Sequence, residues 1–151
     1  MGKTTVILQN EGYQTTIQTR HHTYHADEPI EAGGTDTMVS PIEMALGALG
    51  SCVAMTMKMY AERKKWTLEG VEIELESERF KARDYADYEG DERYVHEIRK
   101  EIKLFGDLTD EQRARILEIG GKCPVHRLIA TPTFFKETLL SDEESIEPVQ
   151  E

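Results

Sequence analysis

The chain has 151 residues, 18 Lys and Arg against 29 Asp and Glu, a net charge of -11 and two cysteines. That length fits one domain whose core folds without staples, and two cysteines are too few for a disulfide scaffold. Bases are interleaved with acids, as in Arg79-Phe80-Lys81-Ala82-Arg83-Asp84, which argues against a nucleic-acid partner, since duplex binding needs clustered Lys and Arg.

Thr4 to Gln9 and Tyr13 to Gln18 read as a β-hairpin turned at Asn10-Glu11-Gly12, on β-branched content and turn residues. A third extended piece is expected over Thr19 to Ala26. A loop from Asp27 to Val39 follows, marked by Pro29 and Gly33-Gly34. A helix then starts at Ser40-Pro41-Ile42-Glu43, where Ser40 fits an N-cap, Pro41 the first helical position and Glu43 a capping box. It runs to about Lys65 and is apolar almost all round up to Met59, the mark of a buried helix.

Val71, Ile73 and Leu75 alternate with Glu72, Glu74 and Glu76, which predicts a half-buried strand. Lys81 to Glu92 is charged and reads as a loop. A strand over about Tyr94 to Phe105 turns Ile98, Ile102 and Leu104 to one face. Thr109-Asp110-Glu111-Gln112 opens a second helix, ended by Gly120-Gly121, and a helical turn follows Pro124. Thr133 to Leu140 reads as a last strand. Residues 1–140 are expected to form a single domain, and 141–151 an acidic, loose tail. Strands and helices do not alternate one for one, so the fold class is α+β. A helix greasy on every face, with only amphipathic strands to cover it, points to a second copy completing the cover.

No segment near the N-terminus joins positive charge, an apolar run and a small-residue cleavage site, so no secretory signal is expected. The stretch Met38 to Met57 is interrupted by Ser40, Pro41 and Glu43, so no membrane span is expected. The expected location is a reducing cytoplasm, where a disulfide would be transient and catalytic.

The chemistry centres on the two thiols. Cys52 follows Gly47, Gly50 and Ser51. If the glycines break the helix and Ser51 caps a new one, Cys52 becomes its first residue, where amides and the dipole favour a thiolate. The bland alternative is a packed core cysteine. In one straight helix Glu43 and Cys52 lie on opposite faces, so Glu43 acts on the thiol only through a bend or a partner chain, and otherwise is a cap. Cys123, between Gly120-Gly121-Lys122 and Pro124, reads as a turn residue free to move, suited to a resolving thiol. A zinc module is the third reading: Cys123-x-x-His126 with Cys52 and one of His21, His22 or His25. Phosphate-loop, nucleophile-elbow and zinc-protease motifs are absent from the sequence.

Together these segments resemble the osmotically inducible protein C and organic hydroperoxide resistance (OsmC/Ohr) family. The resemblance rests on Ser40-Pro41-Ile42-Glu43, Ala48-Leu49-Gly50-Ser51-Cys52, Met55-Thr56-Met57-Lys58-Met59-Tyr60-Ala61, Leu68-Glu69-Gly70-Val71 and Cys123-Pro124-Val125-His126. It implies an OsmC-like fold. In it an intertwined homodimer wraps antiparallel or mixed sheets around buried central helices, with active sites at the subunit interface. It also implies a thiol peroxidase. Cys52 would attack an organic hydroperoxide, its sulfenic acid would condense with Cys123, and a lipoyl-type dithiol would reduce the disulfide. No metal and no organic cofactor is implied. A small-molecule binding protein on the same scaffold is the alternative.

Two departures stand out. Family peroxidases place Glu directly after the Pro of the Asn-Pro or Ser-Pro motif, whereas here Ile42 takes that position and Glu43 comes one residue later, a rotation of about 100°. The family arginine that holds the thiolate has no match, since Arg20 alone lies in the region before the helix. The chain thus resembles the OsmC-like branch more than the dedicated hydroperoxide reductases.

Overall fold

A computed structural model describes residues 3–8, 12–86 and 88–141. The expected turn at Asn10-Glu11 and nearly all of the acidic tail lie outside the described residues. The chain divides into two compact units, Met1–Ala45 with Phe134–Glu151, and Leu46–Thr133.

The first unit holds an antiparallel sheet of β1 (Thr4–Leu8), β2 (Thr15–Thr19) and β3 (His22–Ala26), in that order. The third extended piece is interrupted. Thr19 pairs with His22, and Arg20 turns the chain with φ of 51°. An L-residue in that region costs about 1 kcal/mol, and no Gly or Asn announces the turn.

The following loop is pinned by Asp27, which is 1% exposed. Its carboxylate accepts the Thr35 hydroxyl at 2.5 Å, the amides of Glu28, Thr35 and Thr37 at 2.8, 3.0 and 3.3 Å, and the Thr37 hydroxyl at 3.2 Å. These donors, the Thr35 hydroxyl foremost, hold its pKa down at about 2. A buried carboxylate is tolerated because every donor favours its charged form.

Helix α1 (Pro41–Lys64) starts in the first unit and continues into the second. Its capping box forms as the sequence reads. The Ser40 amide donates to Glu43 Oε2 at 2.7 Å, and the Glu43 amide donates to Ser40 Oγ at 3.3 Å.

The second unit pairs β4 (Gly70–Lys81) with β5 (Tyr94–Phe105) antiparallel, from Gly70↔Phe105 to Lys81↔Tyr94. Helix α2 (Asp110–Gly120) carries the Thr109/Gln112 capping box, and α3 (Pro124–Ala130) follows. Leu49, Val53, Met57 and Ala61 of α1 join Leu68, Ile116 and Cys123 in the core. Val71, Ile73, Leu75, Ile98, Ile102 and Leu104 of the sheet pack against them.

Three expectations need correction. The helix does not break before Cys52. A glycine costs about 1 kcal/mol in a helix interior, but packing outweighs it, because a Cβ on Gly50 would stand 2.8 Å from Leu75 Cδ1. Gly50 is a close-contact residue, and Ser51 Oγ bonds back to the Ala48 carbonyl at 3.1 Å instead of capping a new helix.

Within a single chain the helix is also not buried all round, since Met55 and Met59 are 64% and 59% exposed. By length and composition alone α1 would qualify as a membrane span, contrary to the sequence reading. Its Leu49–Val53–Met57–Ala61 stripe nonetheless serves as one wall of a protein core.

Finally, Thr133–Leu140 forms no strand. Its composition suits one, but a strand exists only where its backbone finds an edge to pair with. Phe134, Phe135 and Leu139 stand 89%, 84% and 98% exposed.

Candidate active site

The second unit brings the two cysteines together. Cys52, on α1, is half-buried and packs against the core cluster that contains Cys123. Cys123 is fully buried. Burial pushes its thiol pKa up, the amide of His126 opposes that, and neighbouring Cys52 pushes it further up. Both are free thiols.

Local sequence explains each position. Gly120 lets the end of α2 press onto α1, where an added Cβ would lie 2.3 Å from Met57 Cε and 3.1 Å from Val53 Cγ1. The chain then turns through Gly121 and Lys122, and Cys123 becomes the N-cap of α3, with Pro124 at the first helical position. The His126 amide donates to Cys123 Sγ at 3.3 Å. Cys123 therefore sits directly after the turn at Gly121–Lys122, buried at the start of α3. Its sulfur takes the place a Ser or Thr oxygen usually holds, and the core encloses it.

Cys52 lies in the interior of α1 and not at a helix start. The terminal amides and the dipole act within about one turn of an end, so they do not serve this sulfur. Glu43 belongs to the other unit. Ser40 engages its carboxylate, the backbone amide first and the side chain second, and holds its pKa below the usual carboxylate range.

Among the described residues, no group of three or more His, Cys, Asp or Glu is arranged to hold a metal. The ring of His126, one supposed zinc ligand, meets Lys100 instead, with 3.4 Å between Nδ1 and Nζ. His25 Nδ1 lies 3.3 Å from Thr16 Oγ1.

Lys100 is the residue the sequence reading passed over. Its place on β5, two residues from both Ile98 and Ile102, put it on the apolar face by period-two alternation. A charge inside an otherwise apolar alternation was the available signal.

The sequence matches the family model described as OsmC-like protein over residues 34–138. The chain belongs to the OsmC-like family. Its fold is the mixed α+β fold of solved OsmC and Ohr proteins. An OsmC-like protein from Mycoplasma pneumoniae is 16% identical with a TM-score of 0.68, covering 85% of this chain and 86% of that one. The organic hydroperoxide resistance protein OsmC from Legionella pneumophila is 14% identical, with a TM-score of 0.63 and coverage of 86% and 89%. The organic hydroperoxide resistance protein OhrB of Bacillus subtilis is 16% identical, with a TM-score of 0.58 and coverage of 86% and 90%. No curated protein matches the sequence.

Proposed function

We propose that this OsmC-like protein is a cysteine-based thiol peroxidase acting on organic hydroperoxides. The observation that carries the reading is the asymmetric thiol couple. Cys52 is half-buried, and Cys123 is sealed in the core beside it. The hydroperoxide resistance named for the Legionella and Bacillus proteins supports the substrate class.

In this reading the Cys52 thiolate attacks the O–O bond, Cys52 becomes a sulfenic acid, and the departing alkoxide takes up from water the proton the thiol had released, leaving as the alcohol. The Cys123 thiol then attacks that sulfur. Water leaves, and the Cys52–Cys123 disulfide is the couple after its loss of two electrons to the peroxide. A lipoyl-type dithiol returns the couple to thiols through a mixed disulfide and is itself oxidised. Glu43 is assigned the capping role, fixing the start of the helix that carries Cys52.

The working unit is proposed to be a cytoplasmic homodimer. Ala54, Met55, Lys58, Met59, Gly70 and Val71 line an open apolar groove of about 390 Å³. A second copy is the cover we assign to it.

Turnover of cumene hydroperoxide with dihydrolipoamide tests the reading. Wild type should turn over. Cys52→Ser should not, and Cys123→Ser should accumulate a sulfenic acid that dimedone traps. An inert wild type, or equal rates in Cys52→Ser, would reject it. A small apolar ligand copurifying with an inert protein would favour the binding-protein alternative, for which the same groove is the candidate site.

A further inference from the structure

Lys100 occupies a position where a lysine is costly. On β5 it shares the inward face with Ile98, Ile102 and Leu104, all packed against the core. Leu75 stands across from it in the β4–β5 register. The side chain is half-buried. Lysines seldom take such places unless the stem lies along apolar surface and the head finds a partner.

The head finds His126. An ammonium only donates hydrogen bonds, so the 3.4 Å contact between Nζ and Nδ1 has the imidazole accepting. The same residue donates its backbone N–H to Cys123 Sγ, and Cys123 is the neighbour of Cys52. A contiguous path therefore runs from the ammonium through His126 to the buried sulfur and on to the half-buried one.

We propose that Lys100, held by His126, is a positioning residue that supplies the positive charge favouring ionisation of the Cys52–Cys123 couple. The inference deepens the thiol-peroxidase reading and rests on it for its purpose. Burial pushes the Cys123 thiol up, and the interior of α1 offers Cys52 no helix-end amides. In this role Lys100 transfers no proton. Its charge lowers the cost of the thiolate that performs the attack.

The other charged groups on the surrounding elements are engaged elsewhere or face outward. On α1, Lys58 Nζ donates to the Leu68 carbonyl at 2.6 Å and pairs with Glu62. On α2, Arg113 donates to the carbonyls of Leu104 and Gly106, and Glu118 pairs with Arg115 and Lys122. On α3, Arg127 lies in the last turn. On β4, Glu74 and Glu76 flank Leu75 on the opposite, outward face. On β5, His96 shares the Lys100 face but is exposed.

The test is the pH dependence of iodoacetamide alkylation, followed by mass spectrometry, in full-length wild type, Lys100→Met and Lys100→Arg. Lys100→Met should raise the alkylation midpoint of the faster thiol by roughly one pH unit, which slows its labelling at neutral pH by about tenfold. Lys100→Arg should restore most of the difference. A purely structural lysine would lower the melting temperature in Lys100→Met and leave the midpoint alone, and that result overturns the inference. If Lys100→Met does not fold, Lys100→Gln reads the same midpoint. A wild type inert toward hydroperoxides, with the midpoint still shifted in Lys100→Met, would remove the peroxidase reading and keep this one. An active wild type with an unmoved midpoint would do the reverse.

Discussion

Oxidising the thiol couple should stabilise the chain by a calculable amount. A Cys52–Cys123 bond closes a loop of about 70 residues, for which chain entropy alone gives about 4.4 kcal/mol. The native state returns part of this. Cys123 gives up the His126 amide, a loss of about 1 kcal/mol, and the sulfur must leave a fully packed position. A net gain of about 2–4 kcal/mol remains. For a chain of this size that raises the melting temperature by roughly 6–12 °C. The experiment adds one equivalent of cumene hydroperoxide, counts free thiols in denaturant, checks mobility on a non-reducing gel and melts both forms at one protein concentration. Two thiols should disappear together without cross-linking chains, and neither Cys52→Ser nor Cys123→Ser should gain stability. Retention of both thiols, loss only into cross-linked chains, or an unmoved melt would refute the reasoning.

Two further predictions concern the frame around the site. Asp27 titrates at about 2 in the folded chain against 3.8 as the ordinary value. A depressed pKa contributes stability that is fully present above the ordinary value and is lost as pH falls through the folded one. Urea midpoints should therefore drop between about pH 4 and pH 2, and Asp27→Asn should be weaker at neutral pH with a flatter acid profile. Helix continuity makes its own prediction. A Cβ on Gly47 meets nothing within 4 Å, whereas one on Gly50 meets Leu75. Gly47→Ala should add about 1 kcal/mol, or roughly 2–4 °C, and Gly50→Ala should gain less. Equal gains would show that Leu75 yields to the added Cβ, and a loss in Gly47→Ala would show that the chain bends there.

Elements with a local signature were legible in the sequence. The two capping boxes, the alternation in Val71–Leu75 and the Ile98–Leu104 face each follow from interactions a few residues apart. What escaped depends on distant partners. Gly50 reads as a helix breaker until Leu75 arrives against it. Arg20 carries no turn signal, so the β2–β3 reversal is set by pairing with His22 and its neighbours. Cys123 reads as a loop residue beside glycines, yet Gly120 is there so that Met57 and Val53 can approach, and that contact helps bury the thiol. At the site, the two cysteines were visible by residue type. Lys100 was not, because its meaning comes from His126, 26 residues away.

The position of Cys52 ties the thiol to the open face of α1. Leu49, Val53 and Met57 recur every four residues and form the buried stripe. Cys52, Met55 and Met59 follow at spacings of three and four, so they share the adjoining stripe, with both methionines largely exposed. Whatever covers that stripe also covers the free side of Cys52. On the homodimer reading, the second copy is then a wall of the site as well as a shield for apolar surface. Met59→Asp places a charge on the stripe without touching the core cluster. It should yield a folded monomer by light scattering, and hydroperoxide turnover should fall with the dimer fraction. A Met59→Asp protein that stays dimeric would place the covering surface elsewhere, and a monomer as active as wild type would leave Cys52 to work from a single chain.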